Sequence, residues 1–329
     1  MKHWKTLLRW LLVIACMAYL VKFFYASRDD IKIAFSLNGW LLAGILALQL
    51  LYYYIQGVRF QMVMEKCSGR KLPAWPWMKL FIIGRFLNTI FAQAGNVSRG
   101  VILKRDYGVS YTRYIAANTS MAWMDTGMNL ILATGIVLLF SRDFRIGPFL
   151  AWKVLGIATV AAIAGPIAFE AAFRRLRFAS GPFLWLHNKT AEVLRVSVEN
   201  LADGWYLAKL FALGLVIFAR TVLMFHLYFL TIGVRVDLAA LAVFYALFKL
   251  SFYINLTPGN LGVQEVVWGK LSELMGIGMA QGVLVSAFVR VVSTGVILVL
   301  GIALGGWDML RKRGQLPPSN GDSPSAGEE

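Results

Sequence analysis

Thr257-Pro258-Gly259-Asn260-Leu261-Gly262-Val263-Gln264-Glu265 interrupts an otherwise apolar sequence. Lys249 and Asn255 lead into it, and a Gln-Glu pair closes it. Proline has no backbone N–H and glycine is a poor helix former, so a helix entering this stretch stops there. A helix that breaks inside a bilayer loses the internal partners of its N–H and C=O groups. Such backbone survives only where protein or a water-filled cavity replaces those partners. The stretch is therefore read as a helical break that lines a binding site.

The surrounding composition sets the solvent. Of 329 residues, 58% are hydrophobic and 15% charged, which excludes an ordinary soluble domain and suits a polytopic membrane protein. Gly39 to Val58 carries no charge, and about 20 such residues are enough to cross a bilayer. A net charge of +16 is then explained by cytoplasmic Lys and Arg in contact with anionic head groups. No nucleic-acid motif accompanies it, so no nucleic-acid partner is expected. Cys16 falls in a membrane segment and Cys67 in a loop, which argues against a disulfide framework. Val13-Ile14-Ala15-Cys16 has the look of a lipoprotein cleavage site, yet apolar sequence continues to Val21. An uncleaved first helix is the expectation.

Threading the chain by its basic loops puts Lys2, Lys5 and Arg9 inside, before a first helix that ends near Phe24. A second helix follows over about 38–58, and Arg59, Lys66, Arg70, Lys71 and Lys79 are read as a cytoplasmic loop. The stretch from about Trp75 to Gly95 is taken as a re-entrant hairpin, which returns Arg99, Lys104, Arg105 and Arg113 to the cytoplasm. Tyr114 to Phe140 then spans outward, carrying Asp125, and Val154 to Phe169 crosses back. Residues 178–209 mix apolar and charged side chains, as an amphipathic interfacial segment or a soluble connector would. Leu210 to Ile232 crosses outward with Arg220 and His226, Leu238 to Asn255 enters the second break, and Gly282 to Trp307 crosses inward. The expected fold is an all-α polytopic membrane protein of about six spans plus two re-entrant segments, with both termini inside. Residues 1–313 form one membrane domain, with repeat-bearing halves near 75–140 and 238–307, and 314–329 read as a disordered tail.

The two breaks resemble each other. Phe86-Leu87-Asn88 precedes Gly95-Asn96-Val97-Ser98-Arg99, and Phe252-Tyr253-Ile254-Asn255 precedes Gly259-Asn260-Leu261-Gly262. Interrupted segments at matching places in two halves point to a transporter's midplane site. Arg85, Asp125, Arg220, Lys249 and Arg290 lie in apolar segments, and Glu265 follows the second break. Each costs about 2.5–3.5 kcal/mol at a helix centre, so they are expected to face one another or an aqueous cavity. Their surplus of positive charge suits an anionic substrate group such as phosphate. The competing account is pairing within the protein, Asp125 with Arg85 and Glu265 with Arg290. Asn88, Asn96, Asn255 and Asn260 are assigned first to capping and second to polar ligand contacts.

Other chemistries find little support. His3, His187 and His226 are dispersed and make no metal cluster, and no cofactor is expected. There is neither a phosphate-binding Walker sequence nor a Gly-x-Ser-x-Gly element. Tyr52-Tyr53-Tyr54, Trp75 and Trp77 are read as interfacial anchors.

The chain resembles the lysylphosphatidylglycerol synthase transmembrane-region family of flippase-like membrane proteins. Pro258-Gly259-Asn260-Leu261-Gly262-Val263-Gln264-Glu265 is similar to that family's Pro-Gly-Gly-Leu-Gly-Val-Arg-Glu pattern. Gly95-Asn96-Val97-Ser98-Arg99 is similar to its Gly-Glu-x-x-Arg element. The resemblance extends over about residues 5–310. Asn96 stands where that family has Glu and Gln264 where Arg is common, so no charge-dependent role is carried to those two positions. The soluble aminoacyl-transferring domain has no counterpart, so aminoacylation of lipid by this chain is not expected. The resemblance and the charge pattern together imply a lipid flippase of a bacterial inner membrane. Its substrate would be an anionic phospholipid, an aminoacylated phospholipid or a polyprenyl-phosphate sugar. Arg85, Asn88, Asn96, Arg99, Asp125, Arg220, Lys249, Asn255, Gly259, Asn260, Gly262, Glu265 and Arg290 are its substrate-binding candidates. A membrane-embedded lipid-phosphate transferase using Glu265, or an accessory to a lipid-modifying enzyme, are the alternatives.

Overall fold

Among the described residues, four helices are long and apolar enough to cross a membrane. The computed structural model describes residues 39–90, 93–175, 191, 203–251 and 262–305. The first predicted helix, most of the interfacial segment, residues 252–261 of the second break and the C-terminal tail lie outside these described residues. In chain order the described helices are α1 (Gly39–Ser68), α2 (Ala74–Ile90), α3 (Ala94–Tyr107), α4 (Tyr111–Phe140) and α5 (Ala151–Arg175). They continue with α6 (Gly204–Thr231), α7 (Leu238–Ser251), α8 (Val263–Leu274) and α9 (Met279–Ala303). A two-residue ribbon, β1 (Arg145–Ile146) with β2 (Phe149–Leu150), turns the chain between α4 and α5. The chain is an all-α multi-pass membrane protein.

Helices α1, α4, α6 and α9 are the long spans, whereas α2, α3, α7 and α8 are shorter. At 1.5 Å per residue, α3 is about 21 Å long, too short for a hydrocarbon core of about 30 Å. Helices α2 and α3 pack on each other as a hairpin, and α7 packs on α8. The first hairpin turns at Gln93, which adopts a left-handed conformation (φ 66°). Its legs touch where Gly95 meets Gly84: a Cβ at position 95 would run into the Gly84 carbonyl oxygen. The re-entrant hairpin is expected within about 75–95; the structure instead makes residues 74–90 one helix, turns at Gln93 and carries Arg99, Lys104 and Arg105 on the second leg.

Helices distant in sequence pack on one another: α4 lies on α7, α9 lies on α2, and α1 contacts α6. One apolar cluster gathers Trp268 with Phe225, Phe229, Phe244 and Phe248, and takes Leu130, Ala133 and Val137 from α4. The other gathers Phe60, Trp77, Phe81 and Phe86, and takes Ile297 from α9. Each pair of short helices is therefore covered by a long helix distant in sequence, α2–α3 by α9 and α7–α8 by α4.

Local chemistry sets the helix ends. The Ser110 hydroxyl accepts from Arg113 N–H at 3.3 Å and starts α4. Asp203 accepts from Tyr206 N–H at 3.1 Å to start α6, and Asp237 accepts from Ala239 N–H at 2.9 Å to start α7; each satisfies a donor that the helix itself leaves open. Within α5, Pro166 has no N–H to give the Ala162 carbonyl. The Trp123 indole on α4 donates to that carbonyl at 2.6 Å.

Several expectations shift. Helix α1 continues to Ser68 and α2 begins at Ala74, so Arg59, Lys66 and Lys79 are helical, and only the residues around Arg70 and Lys71 form a basic turn. Trp77 and Tyr53 are core residues rather than interfacial anchors. The Trp77 indole donates to the Gly57 carbonyl at 2.8 Å, and the Tyr53 hydroxyl donates to the Ser293 carbonyl at 3.0 Å. Trp75 and Tyr54 are exposed, as anchors would be.

Candidate functional site

Asp125 sits midway along α4 and is buried. It pairs with Arg59 of α1, itself buried, rather than with Arg85. Gln56, one turn before Arg59 and on the same helix face, places its Nε2 at 3.5 Å from the other carboxylate oxygen. Lys249 of α7 brings its Nζ to 3.5 Å from that same oxygen. Asn129 donates from its Nδ2 to the Asp125 backbone carbonyl at 2.6 Å. The carboxylate is thereby matched by two cations, one from α1 and one from α7. Gly214 of α6 leaves room for this group, since a Cβ there would strike Met128 and lie 3.4 Å from the Arg59 Cζ.

Glu265 is the second buried carboxylate. One oxygen accepts from the Gly262 backbone N–H at 2.7 Å, closing the first turn of α8. Arg290 of α9 approaches the other with its Nε at 2.7 Å. Arg290 also donates from Nη2 to Gln264 Oε1 at 3.3 Å. The Glu265–Arg290 pairing expected as the competing account is present, and its geometry is that of a clamp between α8 and α9.

Three other guanidinium groups have no carboxylate partner among the described residues. Arg99 on α3 is 3% exposed, and its Nε has no hydrogen-bond acceptor. Its guanidinium carbon lies 5.3 Å from the Phe60 ring centre and 5.5 Å from that of Phe81, with Tyr114 and Arg85 as its charged or polar neighbours. Arg85 on α2 is part-buried and stands 5.4 Å over the same Phe81 ring. It is close enough to Tyr52, Tyr53 and Lys249 to act on each electrostatically. Arg220 on α6 donates to the Leu48 carbonyl and to Gln49 Oε1, both at 2.8 Å, and lies 4.8 Å over the Tyr52 ring. Aromatic faces and amide oxygens stabilise these cations in part. No carboxylate among the described residues neutralises their charge.

The structure thus brings Arg85, Arg99, Arg220 and Lys249 into one neighbourhood around Tyr52 and Phe81, with Asp125 on its border. It places Gly262 and Glu265 at the start of α8 and Arg290 on α9. Asn88 and Asn96 are hairpin residues: Asn88 Oδ1 accepts from Gly95 N–H at 2.7 Å, and its Nδ2 donates to Asn96 Oδ1 at 3.2 Å. Asn88 caps the start of α3, accepting also from Asn96 N–H at 3.3 Å, whereas the Asn96 side chain bonds only side chains among the described residues, donating to Gln93 Oε1 at 2.6 Å. Asn255, Gly259 and Asn260 lie outside the described residues. Among the described residues, no three His, Cys, Asp or Glu side chains gather as a metal site would require.

Arg59, Gln49, Gln56, Tyr52 and Phe81 were not foreseen as site residues. The spacing of Gln49, Tyr52, Gln56 and Arg59 is the helical period of one face of α1, a signal present in the sequence.

The sequence pattern of the lysylphosphatidylglycerol synthase TM region matches residues 7–301, nearly the whole chain. The chain belongs to this family. No curated protein and no solved structure matches it. Both blocks that carry the family resemblance have a physical role. In the first, Gly95 permits the close crossing with Gly84 and Arg99 delivers the buried cation. In the second, Gly262 adopts a positive φ of 81° and Glu265 caps its N–H. Family membership associates the chain with membrane lipids.

Proposed function

We propose that the protein is a lipid flippase or transporter of a bacterial inner membrane, with both termini cytoplasmic. It moves a lipid whose head group carries phosphate: an anionic phospholipid, an aminoacylated phospholipid or a polyprenyl-phosphate sugar. The observation that carries this reading is the set of carboxylate-free guanidinium groups, Arg85, Arg99 and Arg220, beside an Asp125 that is already matched. Unneutralised cations in apolar surroundings are costly, and a phosphate offers each guanidinium paired acceptors. The reciprocal packing of α4 on α7 and α9 on α2 supports two halves related as an inverted repeat. Rocking of one half against the other would expose the cationic neighbourhood to each side in turn, with the acyl chains remaining in the bilayer.

The protein is proposed to act without catalysis. Glu265, the acid or base a transferase would need, is held by the Gly262 N–H and by Arg290, and Asp125 is held by Arg59 and Lys249.

The test is movement of head-group-labelled lipids across proteoliposomes, comparing the three lipid classes with wild type, Arg85→Gln and Arg220→Gln. Lipid movement that falls by about tenfold or more in the variants, the equivalent of one charge-assisted hydrogen bond, supports the flippase. No movement of any of the three lipids by folded protein overturns it. Stable co-purification with a lipid-modifying enzyme, together with tolerance of both substitutions, would favour the accessory reading instead.

A further inference from the structure

The interior is unbalanced in a way that bears on which head group it accepts. Among the described residues, the buried carboxylates are Asp125 and Glu265. Asp125 already faces Arg59 and Lys249, and Glu265 already faces Arg290 and the Gly262 N–H. Arg85, Arg99 and Arg220 remain, with aromatic rings and amide oxygens around them and no acid. Arg99 is the most telling of these, being almost wholly buried with an Nε that has no acceptor.

We infer that this site selects a phosphate-ester lipid whose head group lacks a free ammonium, and discriminates against aminoacylated phospholipid. The inference rests on the lipid-binding reading above and narrows it. A phosphate diester supplies the acceptor that the Arg99 Nε lacks among the described residues. An aminoacyl head group brings the same phosphate but adds one or two ammonium groups, which need acceptors of their own. Among the described residues both buried carboxylates are committed to a cation of the protein, so the added charge meets like charge in a medium that screens it poorly. Hydroxyl-bearing head groups carry no such penalty, and Tyr52 and Tyr114 stand beside the cations as neutral hydrogen-bonding groups.

The experiment is a binding measurement on the full-length protein in detergent, independent of transport. Shifts in thermal unfolding midpoint are titrated with mixed micelles containing phosphatidylglycerol, lysyl-phosphatidylglycerol or phosphatidylcholine, and separately with inorganic phosphate. Wild type is compared with Arg99→Gln and with Arg85→Gln, the second because part-buried Arg85 is replaceable without opening the core. The expected result is binding of phosphatidylglycerol at least about tenfold tighter than of the lysyl ester, with the preference lost in Arg85→Gln. Equal or tighter binding of lysyl-phosphatidylglycerol overturns the inference. So does a response to inorganic phosphate equal to that of the lipid, which would make the ligand a soluble anion. Selective binding without lipid movement in proteoliposomes would leave this inference standing while sinking the flippase, so the two fail separately.

Discussion

Arg85 and Arg99, on opposite legs of the first hairpin, stand over the same Phe81 ring at 5.4 and 5.5 Å. A ring shared by two cations is a point at which both are weakened by one change. Phe81→Leu, which keeps an apolar side chain and removes the π face, is expected to cost about 1–3 kcal/mol of stability from lost packing and cation–π attraction. It should also lower phosphatidylglycerol binding. Chemical unfolding in detergent and the binding titration read the two effects. An unchanged binding curve would mean that the ring only fills space.

Arg59 and Asp125 form a buried pair, and breaking such a pair from one side is expensive. Arg59→Met leaves Asp125 with Lys249 at 3.5 Å as its remaining charge partner, and a loss of about 3–5 kcal/mol is expected. The double variant Arg59→Met, Asp125→Asn should lose less than the sum of its single variants. Equilibrium unfolding of the four proteins in the cycle measures the coupling, and strict additivity would contradict the pairing.

Gly95→Ala places a methyl group against the Gly84 carbonyl oxygen and Asn88. Backbone has to move to admit it, so a loss of about 1–3 kcal/mol is expected. Gly135→Ala is the control, because a Cβ there meets nothing within 4 Å and alanine is the better helix former. The first should lower the unfolding midpoint and the second should leave it unchanged or raise it.

Lys66 Nζ lies 2.6 Å from Asp203 Oδ2 and ties the end of α1 to the start of α6. The hydrogen bond from Lys66, aided by the Tyr206 N–H, holds the Asp203 carboxyl below its ordinary range. A depressed pKa means that the contact stabilises the fold above the unfolded-state value of about 3.9 and is lost as pH falls through the lower folded value. Asp203→Asn should therefore flatten the acid limb of stability against pH below about 4, and leave its shape near pH 7 unchanged. The effect will be small, since both side chains are exposed.

Much of this arrangement is legible in the sequence because it is local. The spans follow from length and apolarity, and the first hairpin follows from the Gly95-Asn96 break and the cations after it. Glu265 with Arg290 was among the pairings the sequence suggested. Arg59 was missed for a physical reason: with Lys66, Arg70 and Lys71 downstream it reads as the start of a loop, while its partner lies 66 positions away on another helix. Trp77 and Tyr53 were misread similarly. An aromatic residue near basic ones has the pattern of an interfacial anchor, and burial here is decided by other helices: Trp77 packs on Phe60 of α1, and Tyr53 reaches Ser293 of α9.

The order in which the chain is made adds a constraint. Phe86, on the first hairpin, packs directly against Gly301, near the end of the last described helix. During synthesis that hairpin enters the membrane long before its cover exists, and most of the protein is translated in the interval. Two short helices with an open aromatic face must therefore wait in the bilayer, held by α1 alone or by insertion machinery. A ribosome stalled before α9 would leave a product that exposes the first hairpin made as well as α8, the last segment added. Quality control of this protein is thus expected to read its N-terminal half to learn whether its C-terminal half has arrived.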